Sequence, residues 1–379
     1  MSAKVLIIAQ LDGYANSVKP LAIERFLQER GHDVRLVDTA CLARASSTPG
    51  SLGRMLPGSP RPTRLVLYAN DVVSKVFTRR GPARRHLSYY VLMADHLLRR
   101  TILGKELRLD DFDLVICETP YDSGVLRTPT SARTLYDCPN PWADEVFSEG
   151  RLTHRQHSRF RRWEARFLEG MEHLSFSWET YGRYAVAQYG ISGANFTQLN
   201  WGCTPSARRA RFARPPRVVY IGSLSGQFID LPLLARLSRR YPHIDVYGGP
   251  PPDPSLDLHY RGYASPEVLL EYQFGLITCT RDLIRQEGFS AKHLHYLAHG
   301  LPVLVPAWRR NLELLRGSVP YTEEDFLSVI DALSQEAAWR SVSDEAYAQG
   351  ERLDWRRTLQ PLEALLDDVP RTQVSRSRS

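Results

Sequence analysis

"EGFSAKHLHYLAHGLPVLVP", residues 287–306, turns on a single lysine. Lysine and arginine together supply 49 positive charges, yet Lys292 is the only lysine after Lys105. Ser290 stands as an N-cap, with Ala291, Leu294, Leu297 and Ala298 at the spacing that buries one helical stripe. Lys292 and His295 share the other side. Gly300 supplies a left-handed stop, and Leu301 to Val305 reads as a strand buried on both faces, as in a parallel sheet. Helix starts present free N–H groups and a positive dipole end, so a lysine in the first turn adds charge to a place already suited to phosphate.

Upstream of this stretch strands and helices alternate. "RVVYIGSL" (217–224) is a strand ending in a glycine turn, "DLPLLARLSRRYP" (230–242) a helix, and "HIDVYGGPPP" (243–252) a strand ending in glycines and prolines. "SPEVLLEYQF" (265–274) reads as a helix and "GLITCT" (275–280) as a strand. An earlier alternation opens the chain: "KVLIIA" (4–9), a loop with Gly13, the helix "VKPLAIERFLQER" (18–30), then a second strand after Gly31. "RLVLYA" (64–69) and "DLVICE" (113–118) add buried strands, and 151–189 is helical in pattern. Such β-α-β units build parallel sheets, and ligands bind outside the carboxyl ends of their strands, here at Gly222–Gly226, Gly248–Gly249 and Glu287–Ser290. The proline-rich 196–216 segment reads as a connector.

At 379 residues the chain exceeds one ordinary core, and two domains are expected. The division predicted is 1–205, 206–350, a closing amphipathic helix at 351–369 across the junction, and a disordered basic tail at 370–379. Hydrophobic residues at 43% and charged residues at 24% fit a globular chain. Cys41, Cys117, Cys138, Cys203 and Cys279 form no C-x-x-C pair, which argues against a disulfide framework or a zinc site. The short apolar run in "MSAKVLIIAQ" is no signal-peptide core, and a cytoplasmic protein is expected. A net charge of +7 and a pI near 9.2 favour anionic partners. Residues 78–100, "TRRGPARRHLSYYVLMADHLLRR", mix arginine clusters with apolar residues and suggest a peripheral contact with the inner face of a membrane.

Several motifs are ruled out. The chain has no G-x-G-x-x-G and no P-loop, and Leu224 takes the nucleophile position of "GSLSG". Asp111 and Asp113 read as a strand-start turn. His154, His157, His293, His295 and His299 lack the accompanying ligands of a metal site.

The opening stretch closely resembles the nucleotide-sugar motif of GT-B glycosyltransferases of the family 4 type, in which a glutamate precedes a second glutamate by eight positions and A-x-G-L-P-V follows. Glu287 fills the first place, His295 the second, and "LAHGLPVLVP" the end. "ERGHDVRLVD" (29–38), "NWGCTP" (200–205), "YIGSL" (220–224), "VYGGPPP" (246–252) and "DWRRTLQPLEALL" (354–366) resemble further marks of that fold along most of the chain. The resemblance implies two doubly wound Rossmann-like domains facing a central cleft, an acceptor domain first and a donor domain second. It implies that Lys292 and the helix-start amides around Gly288, Phe289 and Ser290 hold the donor diphosphate, and that Gly222, Ser223 and Gly249 let it approach. It also implies that Glu287 lies near the transferred sugar and that His295 takes the place of the ribose-binding glutamate. The usual basic pair after the first donor-domain turn is missing, which throws more of the phosphate contact onto Lys292.

In the acceptor domain, "TLYDCPNPWADEVF" (134–147) resembles a segment whose aspartate serves as base, but Asn140 stands there and cannot accept a proton. Asp137, Asp144 and Glu145 are the alternatives. The expected activity is sugar transfer from a nucleoside diphosphate-sugar to an acceptor hydroxyl, with no metal or other cofactor required and no nucleic-acid partner. A nucleotide-sugar epimerase of the same fold and an inactive sugar-nucleotide-binding protein are the rival readings.

Overall fold

The structure, a computed structural model, describes residues 2–11, 14–39, 82–193, 195–224 and 228–367. Cys41, Gly13, Gly226, the strand expected at 64–69, the side chains of the arginine cluster at 79–85 and the tail at 370–379 lie outside the described residues. The chain divides into two compact units, Met1–Leu199 with Leu359–Ser379, and Asn200–Thr358.

In the first unit, β1 (Lys4–Ala9) buries five of its six residues, as a strand covered on both faces must. α1 (Tyr14–Glu29) returns the chain to β2 (Asp33–Asp38). α2 (Pro82–Glu106) precedes β3 (Leu114–Cys117) and β4 (Arg133–Cys138). Then come α3 (Trp142–Ser148), α4 (His154–Glu169), β5 (His173–Phe176) and α5 (Glu179–Tyr189). The sheet is parallel in the order β2-β1-β3-β4-β5. Residues 151–189 are therefore not all helical: Gly170 ends α4, and "HLSF" pairs with β4. A four-residue run shows no period, and only its place beside β4 makes it a strand. α2, α3 and α4 share a core that includes Tyr89, Leu92, Trp142, Val146 and Phe160. Trp142 and Phe160 meet edge to face, with centroids 4.9 Å apart.

The second unit runs β6 (Val218–Ile221), α6 (Leu231–Arg240), β7 (Ile244–Tyr247), β8 (His259–Tyr260) and β9 (Phe274–Leu276). α7 (Leu283–Glu287), α8 (Ala291–Ala298), β10 (Val303–Pro306) and β11 (Ser318–Tyr321) follow, then α9 (Phe326–Ala332), α10 (Glu336–Arg352) and α11 (Trp355–Thr358). Its sheet is parallel in the order β11-β10-β9-β6-β7-β8. The helix expected at 265–274 is a 3-10 helix over Pro266–Glu271, because the N–H groups of Gln273 and Phe274 both turn to the Arg217 carbonyl and draw the chain into the sheet.

The closing segment is also broken. In place of one helix over 351–369, α10 ends at Arg352, Asp354 bridges to Cys203, α11 makes one turn, and α12 (Pro361–Asp367) belongs to the first unit. Pro361 opens α12 because a proline has no N–H with which to continue the helix before it.

Both sheets reverse their strand order once, between β1 and β3 and between β6 and β9. Those reversals open the crevices where ligands of open α/β sheets sit.

Candidate functional site

At the reversal in the second unit, β6 ends at Ile221 and Gly222 turns the chain at φ +139, a conformation that disfavours side chains. A Cβ on Gly222 would lie 3.1 Å from both Cε and Nζ of Lys292, so the glycine lets the lysine close on the turn. Gly249, at φ +71 after β7, stands equally close to the second turn residue: its Cβ would meet the Leu224 N at 3.1 Å. The loops after β6 and β7 and the first turn of α8 thus converge, bringing Gly222, Ser223, Gly249 and Lys292 together.

Lys292 Nζ donates to the Tyr220 hydroxyl at 2.6 Å, and that hydroxyl donates to the Ser223 carbonyl at 3.3 Å. The ammonium also stands 4.0 Å from the Tyr220 ring centroid. Burial pushes its pKa down to about 8. A half-buried cation with a tyrosine, and with no carboxylate among the described residues in salt-bridge range, is a charge only partly compensated.

Glu287 ends α7, where its carboxylate accepts from Arg310 at 2.9 Å and from Asn311 at 3.0 Å. Gly288 caps that helix, and its carbonyl accepts from Arg309. The Phe289 ring lies under the Arg309 guanidinium at 5.0 Å. Ser290 begins α8 but not as a side-chain cap: its hydroxyl is buried, with no hydrogen-bond partner among the described residues, and the turn is closed by its carbonyl accepting from His293 N. Thr278 Oγ1, just past β9, is likewise buried and unpartnered. Burial, with His299 adding to it, holds His295 at a pKa of about 4, so its imidazole is neutral at physiological pH.

Sequence reasoning missed Tyr220 and Arg309. Burial raises the Cys279 thiol, while Arg309, Lys292 and Arg285 each pull it back, so three cations gather near this strand end. The missing basic pair of the first turn therefore has neighbours of like charge from elsewhere in the unit. Arg309 follows the "LPVLVP" strand by three residues, which is the one local signal that pointed to it.

In the first unit, Asp137 on β4 is buried, 2.5 Å from the equally buried Lys19 Nζ, which also donates to the Leu199 carbonyl. Glu118, just past β3, joins them: burial raises its pKa well above the usual carboxylate range, and Asp137 raises it further. Asp144 is placed differently. Its fully buried carboxylate accepts from His157 at 2.6 Å and from Tyr184 and Tyr189 at 3.0 Å each, a ring of donors that locks α3, α4 and α5 together. The start of α3 is capped from α4 by Glu164, which accepts from the N–H groups of Trp142 and Ala143 at 2.7 Å each. Among the described residues no group of three or more His, Cys, Asp and Glu is placed to hold a metal ion.

Two parallel α/β units of this kind occur together in solved glycosyltransferases of the GT-B fold. The chain superposes on a glycosyltransferase from Rickettsia africae with a TM-score of 0.60 at 10% identity, covering 98% of this chain and 99% of the other. Sucrose-phosphate synthase from Thermosynechococcus elongatus gives 0.65 at 11% identity, with 96% and 98% covered. The α,α-trehalose 6-phosphate synthase from Burkholderia multivorans gives 0.60 at 14% identity, with 97% and 99% covered. No protein-family model and no curated protein sequence matches the chain. The fold is GT-B, as the sequence motif implied, with two doubly wound Rossmann-like units.

Proposed function

We propose that the chain is a nucleotide-sugar-dependent glycosyltransferase, transferring a sugar from a nucleoside diphosphate-sugar to an acceptor hydroxyl. The observation that carries this is Lys292, a half-buried ammonium with no carboxylate in range among the described residues, set against the Gly222 turn at the strand reversal. In the transfer, the acceptor oxygen bonds to the anomeric carbon, the bond from that carbon to the diphosphate breaks, and the acceptor proton passes to a base. Charge grows on the leaving diphosphate, and a fixed cation with helix-start amides lowers the barrier by meeting it there.

Lys292 and the amides around Gly288, Phe289 and Ser290 take the diphosphate, while Gly222, Ser223 and Gly249 admit it. The unpartnered Ser290 hydroxyl is a further donor. Glu287, oriented by Arg310 and Asn311, serves the transferred sugar, and neutral His295 a ribose hydroxyl. This assignment calls for no metal. Asp137, with Glu118 beside it, is the base candidate. Contact of residues 78–100 with a membrane belongs to the same reading, as the way to a lipid-linked acceptor. The three structural neighbours described above, a glycosyltransferase, a sucrose-phosphate synthase and an α,α-trehalose 6-phosphate synthase, support the class of reaction.

A thermal-shift screen against UDP, GDP, TDP, ADP and CMP tests the donor site. One diphosphate should raise the melting temperature, equivalent to about 2.7 kcal/mol at a hundredfold excess over its Kd, and Lys292→Ala should abolish the shift. No shift with any nucleotide, or an equal shift in the variant, contradicts the assignment.

A further inference from the structure

A second charged surface lies in the first unit. Arg155, Arg159, Arg162 and Arg166 recur along α4 at the i, i+4, i+7, i+11 spacing of one helical stripe, and all four are exposed. Some exposed arginines elsewhere pair with acids, Arg183 with Glu179, Arg236 with Glu323 and Arg340 with Glu336, while others such as Arg208, Arg316 and Arg357 have none in range among the described residues; what sets α4 apart is four in one row. Among the described residues, none of the four on α4 has a carboxylate within salt-bridge range. Beside the row, Arg161, Arg162 and Arg166 line a cavity of about 540 Å³ with Ser158, Gln188 and Tyr189. Arg161 is fixed there by the Gln188 carbonyl at 2.7 Å and by the Tyr189 ring at 4.9 Å.

Next to this row runs an apolar stripe. On α2, Leu87, Tyr90 and Leu97 are 49%, 57% and 61% exposed, and with Ala94 they fall along one side of the helix, which Lys105 continues. Arg159 joins the two surfaces, its guanidinium 5.2 Å from the Tyr89 centroid and 5.9 Å from that of Tyr90. A solvent-facing helix has no use for three large apolar side chains in line, and uncompensated arginines alongside them define the complementary surface as apolar and anionic together.

We propose that α2 and α4 form one membrane-binding face, in which Leu87, Tyr90 and Leu97 enter the interface of an anionic bilayer while the α4 arginines hold lipid phosphates, one of them in the cavity. No helix among the described residues is long and apolar enough to cross a membrane, so the contact is peripheral. The inference extends the membrane contact in the functional reading above to α4, which the sequence did not single out, and it is independent of the donor chemistry.

Vesicle co-sedimentation of the full chain tests it, comparing pure phosphatidylcholine with phosphatidylcholine containing phosphatidylglycerol. Binding should require the anionic lipid and weaken with salt. Arg155→Gln with Arg162→Gln should lower the partition coefficient about twenty-five-fold, at roughly fivefold per charge. Leu97→Gln is a separate variant that should weaken binding without changing its salt dependence. Nucleoside diphosphate binding, measured on the same samples, should be unchanged, which shows that the fold is intact and reads the donor site separately. Equal binding to neutral vesicles, no binding to either, unchanged binding in the arginine variant, or displacement from vesicles by stoichiometric duplex DNA would each overturn the proposal, the last in favour of a nucleic-acid surface.

Discussion

Lys19 and Lys292 occupy comparable places in the two units, since each sits on a helix that follows a parallel strand and reaches back toward the strand ends. Their partners differ. Lys19 is closed off by Asp137 at 2.5 Å and by the Leu199 carbonyl, so its charge is complete within the fold. Lys292 has a tyrosine hydroxyl and a ring face, and burial pushes its pKa down to about 8. The first lysine is met by a carboxylate of its own unit, whereas the second has none among the described residues, and the proposed donor diphosphate is the anion that would meet it.

Substituting the two lysines should therefore have opposite effects on stability. Lys19→Met leaves Asp137 buried without its cation and should cost about 3–5 kcal/mol in chemical denaturation. If the loss were below about 1 kcal/mol, the pair would not be the closed unit described here. Lys292→Met should instead leave the free protein as stable or slightly more stable, because it removes a half-buried charge that no carboxylate among the described residues pairs. This is a stability–function trade-off.

A smaller effect is expected from Gly222→Ala. Its backbone stands at φ +139 and a Cβ would press on Lys292 at 3.1 Å, so the turn should shift and diphosphate affinity should fall by about tenfold, with strain of order 1–3 kcal/mol. Wild-type affinity in this variant would mean that the turn does not shape the site.

The same contrast explains what could be read in the sequence. Lys292 was legible because Ser290, Gly300 and the apolar run after it lie within a few residues and fix its place on a helix start. Tyr220 was not, since it meets Lys292 from 72 residues away. Glu118 and Lys19 are likewise gathered by the sheet order and not by spacing. Strands with continuous apolar runs, such as β1, β3 and β10, were evident, while β5, β8 and β11 are two to four residues long and show no period. Asp144 looked like a base from its place after β4, but its tyrosine and histidine partners come from α4 and α5, which no local pattern links to it.

The decisive measurement is the pH dependence of diphosphate affinity, by calorimetric titration of wild type and Lys292→Met with whichever nucleotide the thermal screen selects. In the free protein Lys292 loses its proton around pH 8, and a bound diphosphate favours the protonated form. Wild-type affinity should therefore hold below that pH and fall as pH rises through and above it, approaching tenfold per unit, while the variant binds weakly and with a flat profile over the same range. Parallel profiles for the two proteins would mean that Lys292 does not carry the diphosphate.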